Sequence, residues 1–232
     1  MRPCLLLFDI DGTLLDTKGS GAGALMDAVE DVFGIPRHEM PPLDLAGATD
    51  GGVVRKLFSD ARVDMTPEKV ESYHSSYLGH LHRRLNADSF AGHLLPAVQP
   101  LLDMLSAEPQ VHLGLLTGNL RRGAFMKLQR MGIHAHFDDG AFGDDAEDRN
   151  LLGPIAIQRL SDLRRLPFSP EDVIVIGDTP KDIACARACG ARSLAVATGA
   201  FAVDQLAEHS PWRCVPSFDD HHGIARLLME AF

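Results

Sequence analysis

Four short runs of mainly apolar residues are the clearest feature of the hydrophobic pattern, and they occupy residues 4–8, 111–116, 173–176 and 194–197. Each run is followed by Asp, Thr or Gly. Runs of this length that do not alternate with polar residues are typical of strands covered on both faces, as in a parallel sheet. The pattern therefore predicts four buried strands.

Segments with a helical spacing of apolar residues follow these runs, at 96–106, 121–131, 154–163 and 180–189. Strands that alternate with helices predict an open α/β sheet. The stretch from about 17 to 93 departs from this alternation, because 22–33, 51–58 and 67–85 have helical spacing with no buried strand between them. We therefore expect a helical lobe inserted between the first two strands. A last strand and a closing helix are expected at 212–215 and 219–229.

Charge and composition narrow the function classes. The 232-residue chain has a net charge of −10, which argues against a nucleic-acid partner because such proteins need clustered Lys and Arg. It has no run of the roughly 18 apolar residues that a membrane helix needs, and its four cysteines lack the spacing of a zinc site. We expect no membrane partner and a cytoplasmic location with reduced thiols.

Three of the four predicted strands end in polar groups that suit one reaction. Because ligands of an open parallel sheet bind beyond the carboxyl ends of its strands, these side chains are expected to meet in one cleft. The three strand ends read Asp9-Ile10-Asp11-Gly12-Thr13, Thr117-Gly118-Asn119 and Gly177-Asp178-Thr179-Pro180-Lys181-Asp182.

Carboxylates at these strand ends suit one reaction. Asp9 leaves its strand first and is placed to act as a nucleophile, since carboxylates do form aspartyl-phosphate intermediates. Asp11 suits a general acid that later acts as a base. Crowded carboxylates favour a hard cation, to which Asp178 would be a ligand. Asp182 would bind the metal through water or hold its neighbours in place.

Simpler structural roles are open for the same residues. Asp, Gly and Thr after a strand often form only a turn or a cap. Thr117 also suits a helix cap, and Asp182 suits an acid in the first turn of a helix. The three strand ends together favour the catalytic interpretation.

These motifs resemble the signatures of the haloacid dehalogenase-like superfamily, and in particular its phosphoglycolate phosphatase-like group with a helical cap. Asp9-Ile10-Asp11-Gly12-Thr13 is similar to the first signature, 116–119 to the second and 177–182 to the fourth. The resemblance implies a Rossmann-like core over residues 1–16 and 94–232, and a helical cap over 17–93. It also implies a Mg²⁺ ion held by the Asp9 carboxylate, the Asp11 backbone carbonyl and Asp178. Thr117 would then take part in catalysis, and Gly118 and Asn119 in substrate binding.

One part of the chain departs from that pattern. Most capped relatives carry a Lys before the fourth motif, whereas residues 148–154 contain Arg149 and no Lys. Arg149 is the natural substitute, because a guanidinium is always charged and binds carboxylate and phosphate together. The alternative is a solvated Arg in an acidic loop, to which we also assign Asp145. In that case Lys181 is the next candidate for the cation.

The segment from Gly47 to Asp50 is a polar loop between two helices of the inserted lobe. It resembles the cap loop that touches the substrate in relatives, so Thr49 and Asp50 are candidate substrate-binding residues. A cap on the following helix is the equally simple alternative for both.

Together these observations predict a Mg²⁺-dependent phosphatase, a phosphoric monoester hydrolase that acts on a small phosphorylated metabolite through an aspartyl-phosphate. A phosphoglycolate-like substrate fits the resemblance. The alternatives are a sugar-phosphate mutase of the beta-phosphoglucomutase type and a non-catalytic regulatory protein on the same scaffold. A signalling receiver module is disfavoured by the first motif and by the large insertion. We expect a monomer or a homodimer.

Overall fold

Six parallel strands form the central sheet of the computed structural model, which describes residues 2–232. The spatial order is fifth, fourth, first, sixth, seventh and eighth strand, and the other two strands pair with each other. In chain order the strands are β1 (Cys4–Phe8), β2 (Leu15–Asp16), β3 (His93–Leu94), β4 (Val111–Leu116), β5 (Gly140–Ala141), β6 (Val173–Gly177), β7 (Arg192–Val196) and β8 (Arg213–Val215).

Helices cover both faces of this sheet and also form a separate group. In chain order they are α1 (Ser20–Phe33), α2 (Asp50–Asp60), α3 (Pro67–Leu85), α4 (Val98–Ser106), α5 (Arg121–Arg130), α6 (Leu152–Arg164), α7 (Pro180–Ala188), α8 (Val203–Ala207) and α9 (His221–Met229). The arrangement confirms the predicted fold class, an α/β protein with a parallel sheet.

The strand register brings the predicted site residues to one edge. Strand β1 lies in the middle of the sheet, and its last residue, Phe8, is level with Leu115 of β4 and Ile176 of β6. All three strands run in the same direction and are buried. Their polar continuations therefore emerge side by side, as the rule for open parallel sheets requires.

Helices α1, α2 and α3 pack around a hydrophobic cluster of their own, which includes Leu57, Tyr73 and Leu81. Strands β2 and β3 form a two-residue antiparallel ladder where the chain leaves the sheet and returns to it. The helical segment is thus tied at both ends. The exact division at 16/17 and 93/94 stays a prediction.

Several short elements have no counterpart in the sequence-based expectations. Strands β2, β3 and β5 contain two residues each, and α8 contains five. Such lengths are too short to produce a periodic hydrophobic signal. Among residues 2–232, no helix combines the length and apolar character needed to span a membrane.

Candidate active site

The carboxylates of Asp9 and Asp178 lie next to each other at the carboxyl edge of the sheet. Asp9 follows β1, and its backbone N–H continues the ladder by donating to the Ile176 carbonyl at 2.9 Å. Carboxylate oxygens of Asp9, Asp178 and Asp182 all lie within 4.8 Å of one another, and the three residues are buried. Carboxylate oxygens are the ligand type that a hard divalent cation takes.

Two glycines let the backbone approach the Asp178 carboxylate. A Cβ at Gly12 would lie 2.4 Å from Asp178 Oδ2, and one at Gly199 would lie 1.7 Å from it. Gly12 also has a φ of +82°, which disfavours other residues. The Thr13 hydroxyl donates to Asp178 Oδ1 at 3.2 Å. The donor set and this close cradle fit the predicted Mg²⁺, with Asp9 and Asp178 as carboxylate ligands.

Burial changes the protonation of both carboxylates. It raises the pKa of Asp9 to about 6, which Arg149 opposes and Asp182 and Asp11 reinforce. It raises the pKa of Asp178 to about 8, with further contributions from Asp9 and Asp182. Crowded acids with raised pKa values gain most from a cation, because the cation offsets their repulsion and favours the ionised form.

Arg149 is buried between two of these acids. Its NH2 group donates to Asp9 Oδ1 at 3.0 Å and to Asp182 Oδ1 at 2.5 Å, and it lies 3.3 Å from the Leu116 carbonyl. Only 6% of the residue is exposed. Burial opposes the charge, but Asp182 and Asp9 raise the pKa of the guanidinium above its usual value. The structure therefore places Arg149 against the predicted nucleophile and away from solvent.

Asp182 has two contacts that explain its position. Its Oδ2 accepts from the backbone N–H and the hydroxyl of Thr179, at 3.0 and 2.7 Å, and so caps the start of α7. Its Oδ1 accepts from Arg149. Asp182 therefore acts as a helix cap and also holds the Arg149 guanidinium.

Lys127 is a site residue that the sequence analysis missed. Its ammonium group donates to Asp11 Oδ2 and to Asn119 Oδ1, both at 2.6 Å. The residue is 3% exposed, whereas the Asp11 side chain is 43% exposed. A signal was present in the sequence: Lys127 lies on the buried face of α5 together with Gly123, Ala124 and Leu128. A lone Lys on such a face needs a buried partner.

The second strand end forms a short hydrogen-bonded chain. The Asn119 amide nitrogen donates to Asp11 Oδ2 and to Thr117 Oγ1, both at 2.8 Å. Thr117, Gly118 and Asn119 all line the cavity described below. Gly118 is close to the inserted segment, because a Cβ there would lie 1.8 Å from the Ala48 carbonyl oxygen.

The two candidates in the polar loop have different surroundings. Asp50 lines the cavity, its Oδ2 accepts from the Leu120 N–H at 2.7 Å, and burial raises its pKa to about 6. Thr49 does not line the cavity. Its hydroxyl accepts from the Gly52 N–H at 3.1 Å as the N-cap of α2 and donates to the Glu147 carbonyl at 2.6 Å. The capping interpretation describes Thr49, while Asp50 faces the cavity.

One further expectation needs correction, and the fallback role of Lys181 is not needed. Asp145 is not part of a solvated loop, because its carboxylate accepts from the Phe142 N–H at 2.9 Å and pairs with Arg159 at 2.6 Å. Lys181 is exposed and does not line the cavity. Arg149, not Lys181, is therefore the cation beside Asp9.

A cavity of about 460 Å³ joins these residues to the helical segment. Asp9, Asp11 and Asp178 line its sheet side together with Arg149 and Lys127. The opposite side belongs to α1, α2, α3 and residues 45–48. Its size suits a small molecule.

The chain is similar to proteins of one known family. A family model described as haloacid dehalogenase-like hydrolase matches residues 6–196. The chain is 27% identical to a phosphoglycolate phosphatase of Chromobacterium violaceum, over 83% of this chain and 84% of the relative. It is 25% identical to the Dickeya dadantii protein named "Probable phosphatase IndB", over 99% and 96% of the two chains.

A solved structure of CbbY from Rhodobacter sphaeroides, in complex with xylulose-(1,5)-bisphosphate, has a similar fold. The TM-score is 0.73, with 16% identity and coverage of 94% of this chain and 96% of that chain. At this identity the likeness concerns the fold alone.

Proposed function

Because the chain belongs to the haloacid dehalogenase-like hydrolase family, we propose that it is a Mg²⁺-dependent phosphatase whose Asp9 carboxylate accepts the phosphoryl group of a small phosphorylated metabolite. Family membership and the phosphatase relatives confirm the predicted family and enzyme class. The observation that carries the proposal is the position of Asp9: it lines the cavity, contacts Arg149 at 3.0 Å and adjoins the Asp178 carboxylate.

The first step forms a bond between an Asp9 carboxylate oxygen and phosphorus, and breaks the bond between phosphorus and the ester oxygen. Asp11 donates a proton to that leaving oxygen. The exposure of the Asp11 side chain supports this role, since its carboxylate lines the cavity. The products of this step are an aspartyl-phosphate and a neutral alcohol.

The second step releases inorganic phosphate. Asp11, now ionised, takes a proton from water while the water oxygen attacks phosphorus. The bond between phosphorus and Asp9 breaks, which restores the Asp9 carboxylate and leaves Asp11 protonated for the next cycle. Asp11 therefore serves as acid and then as base.

Fixed positive charges suit the transfer of a phosphoryl group. Arg149 faces Asp9, and Lys127 holds the Asp11 carboxylate through the contact at 2.6 Å. Asp9, Asp178 and the Asp11 backbone carbonyl would hold Mg²⁺, which supplies a positive charge against the phosphoryl oxygens. Asn119 and Gly118 would position the substrate beside them. These assignments stay proposals.

Phosphate release from a panel of phosphate monoesters, with Mg²⁺ and with excess chelator, tests this function. Phosphoglycolate belongs in the panel because of the name of the Chromobacterium relative. We expect release only with Mg²⁺. Release in excess chelator would contradict the metal requirement, and a complete absence of release would favour a regulatory protein. Isomerised sugar phosphate without net release would favour the mutase.

The cytoplasmic location, the absence of nucleic-acid and membrane partners, and a monomeric or homodimeric state remain predictions.

A further inference from the structure

The charged residues that line the cavity disfavour the binding of a second anionic group. Among the described residues that line it, five are aspartates and two are bases. Full ionisation would leave an excess of three negative charges. Lys18 pairs with Asp16 at 2.7 Å and reduces this excess to two, which one divalent cation would balance. A phosphoryl group already brings negative charge to the sheet side. The bases are Lys127 and Arg149, and the aspartates are Asp9, Asp11, Asp16, Asp50 and Asp178.

Both bases already have carboxylate partners. Arg149 is shared between Asp9 and Asp182. Lys127 donates to Asp11 and Asn119. Pairing either base with a substrate carboxylate would weaken a buried contact of the catalytic residues, and breaking a buried pair is costly.

The wall formed by the helical segment is apolar or acidic. Leu25 of α1, Val53 of α2 and Leu45 between these helices line it, and no Lys, Arg or His from this segment does so within residues 2–232. Tyr77 of α3 also lines the cavity, and burial keeps its hydroxyl neutral by raising its pKa. Asp50 is the charged group on this side that is buried. A second anion held against this wall would meet repulsion and no cation.

We propose that the physiological substrate carries a single anionic group, the phosphoryl group, and that its leaving group is uncharged and lies partly against the apolar wall of Leu25, Leu45 and Val53. This inference rests on the proposed phosphatase function. It selects against carboxylated leaving groups and against bisphosphates. It also disfavours a sugar-phosphate mutase, because moving a phosphoryl group between two positions requires a site for the far end as well.

Matched pairs of substrates test the inference. Phosphoglycolate and phosphoglycolamide have nearly the same shape and differ by one negative charge, as do 3-phosphoglycerate and glycerol 1-phosphate in their terminal groups. We expect kcat/KM for the uncharged member of each pair to be at least about 10-fold higher, a difference that corresponds to about 1.4 kcal/mol. Equal or higher values for the charged members would overturn the inference and leave the phosphatase function intact. If no monoester of the panel released phosphate, the phosphatase function would fail and the inference with it.

A new cation at the wall offers a second test that does not depend on natural substrate choice. Ala22 lines the cavity from an exposed position of α1, so a longer side chain can extend there without displacing the core. Ala22→Lys should raise the ratio of kcat/KM for phosphoglycolate over phosphoglycolamide by about 10-fold relative to Ala22→Gln. Ala22→Gln is the matched control, because it adds similar bulk without charge. An identical ratio in the two variants would show that charge at the wall does not set selectivity, and would overturn the inference.

Discussion

Two basic residues, Arg149 and Lys127, place fixed positive charge in the candidate active site. They come from different parts of the chain. Arg149 precedes α6 and contacts the predicted nucleophile, whereas Lys127 lies in α5 and contacts the predicted general acid. The two bases can therefore be tested separately, because each is tied to a different step of the reaction.

Removal of the Arg149 guanidinium should leave the charge of the transition state uncompensated in a buried site. Loss of one such group commonly costs roughly 10²–10³-fold in rate, so we expect Arg149→Ala to lower kcat on that scale. Arg149→Lys should recover part of the loss, since Lys keeps the charge but not the fork geometry. Arg122→Ala is the control, because Arg122 is exposed on α5. Steady-state phosphate release measures both, and near-normal turnover by Arg149→Ala would refute its role.

Lys127 should act by positioning Asp11. Lys127→Met removes the contact at 2.6 Å, and we expect kcat for an alkyl phosphate to fall by about 10-fold, as part of the 10²–10⁴-fold that a general acid contributes. Hydrolysis of p-nitrophenyl phosphate should fall less, because its leaving group needs less help from an acid. Lys127→Arg should restore part of the alkyl phosphatase activity. Equal losses on both substrates would indicate a structural role instead.

Sequence patterns predicted the acids of the site better than its bases. Asp9 and Asp178 directly follow buried strands and Asp11 comes two residues after Asp9, so the shared carboxyl edge of a parallel sheet places them together. Lys127 was missed because its partner Asp11 is 116 residues away and only the folded chain shows the contact. Asp145 was misassigned for the same reason, since its partner Arg159 lies on α6. Pairing across the fold is invisible in a local motif.

At the scale of elements, hydrogen bonds join the inserted segment to the sheet between the start of α2 and the residues that follow β4. The Asp50 N–H donates to the Gly118 carbonyl at 2.6 Å, and the Leu120 N–H donates to the Asp50 carboxylate at 2.7 Å. The close contact of Gly118 with Ala48 leaves no space for a side chain. We expect this junction to set the distance between the cavity wall and the catalytic edge.

Gly118→Ala should therefore displace the junction. The new Cβ would lie 1.8 Å from the Ala48 carbonyl oxygen, so the backbone must move. We expect a loss of about 1–3 kcal/mol in the free energy of unfolding, as for overpacked sites, and a fall of kcat/KM by at least about 10-fold.

Gly79→Ala is the matched control for that prediction. Gly79 lies within α3, and its Cβ would meet only an Arg83 nitrogen at 3.6 Å, an ordinary contact. Ala in a helix interior should increase stability by up to about 1 kcal/mol and leave kcat/KM unchanged. Thermal unfolding and steady-state kinetics measure both variants. Normal kinetics for Gly118→Ala would contradict the proposed function of the junction.

The elements themselves were predicted where apolar residues mark them clearly. The spacing of apolar residues located α3 at its observed bounds and β1 and β4 likewise. Strand β7 begins two residues before the predicted start, because Arg192 and Ser193 do not extend an apolar run although they pair with β6. The two-residue strands depend on neighbouring strands for their hydrogen bonds, so no local pattern could reveal them.

For the whole molecule, the raised pKa of Asp178 should make the stability of the metal-free protein depend on pH. Without metal, the folded protein holds a proton on Asp178 between the usual carboxylate range and the raised pKa of about 8, whereas the unfolded chain has released it. The folded state therefore binds more protons in this interval, and its stability falls as pH rises. Mg²⁺ binding should reverse this loss, since it favours the ionised form.

Asp178→Asn should consequently be inactive but more stable in chelator. Asn cannot ionise, so we expect the variant to melt higher than the native protein at pH 8, by at least about 1 kcal/mol or roughly 2–4 °C. The difference in melting temperature should shrink at pH 5. His74 and His112 also titrate in this range, but their effect on stability should largely cancel because both proteins contain them. Mg²⁺ should raise the melting temperature of the native protein more than that of the variant. A variant that melts lower at both pH values would contradict this account of the acidic cluster.

The covalent attachment of phosphate to Asp9 is the central claim, and a rapid-quench experiment tests it most directly. The protein is mixed with Mg²⁺ and an intact phosphate monoester that it hydrolyses. The reaction is quenched in acid within one turnover, and the protein is digested for mass spectrometry. We predict one phosphoryl group on the peptide that contains Asp9, and none in excess chelator or in Asp9→Asn, which keeps the shape but lacks the nucleophilic charge. Asp9→Asn that turned over at the native rate, with no phosphorylated peptide in either protein, would contradict the account.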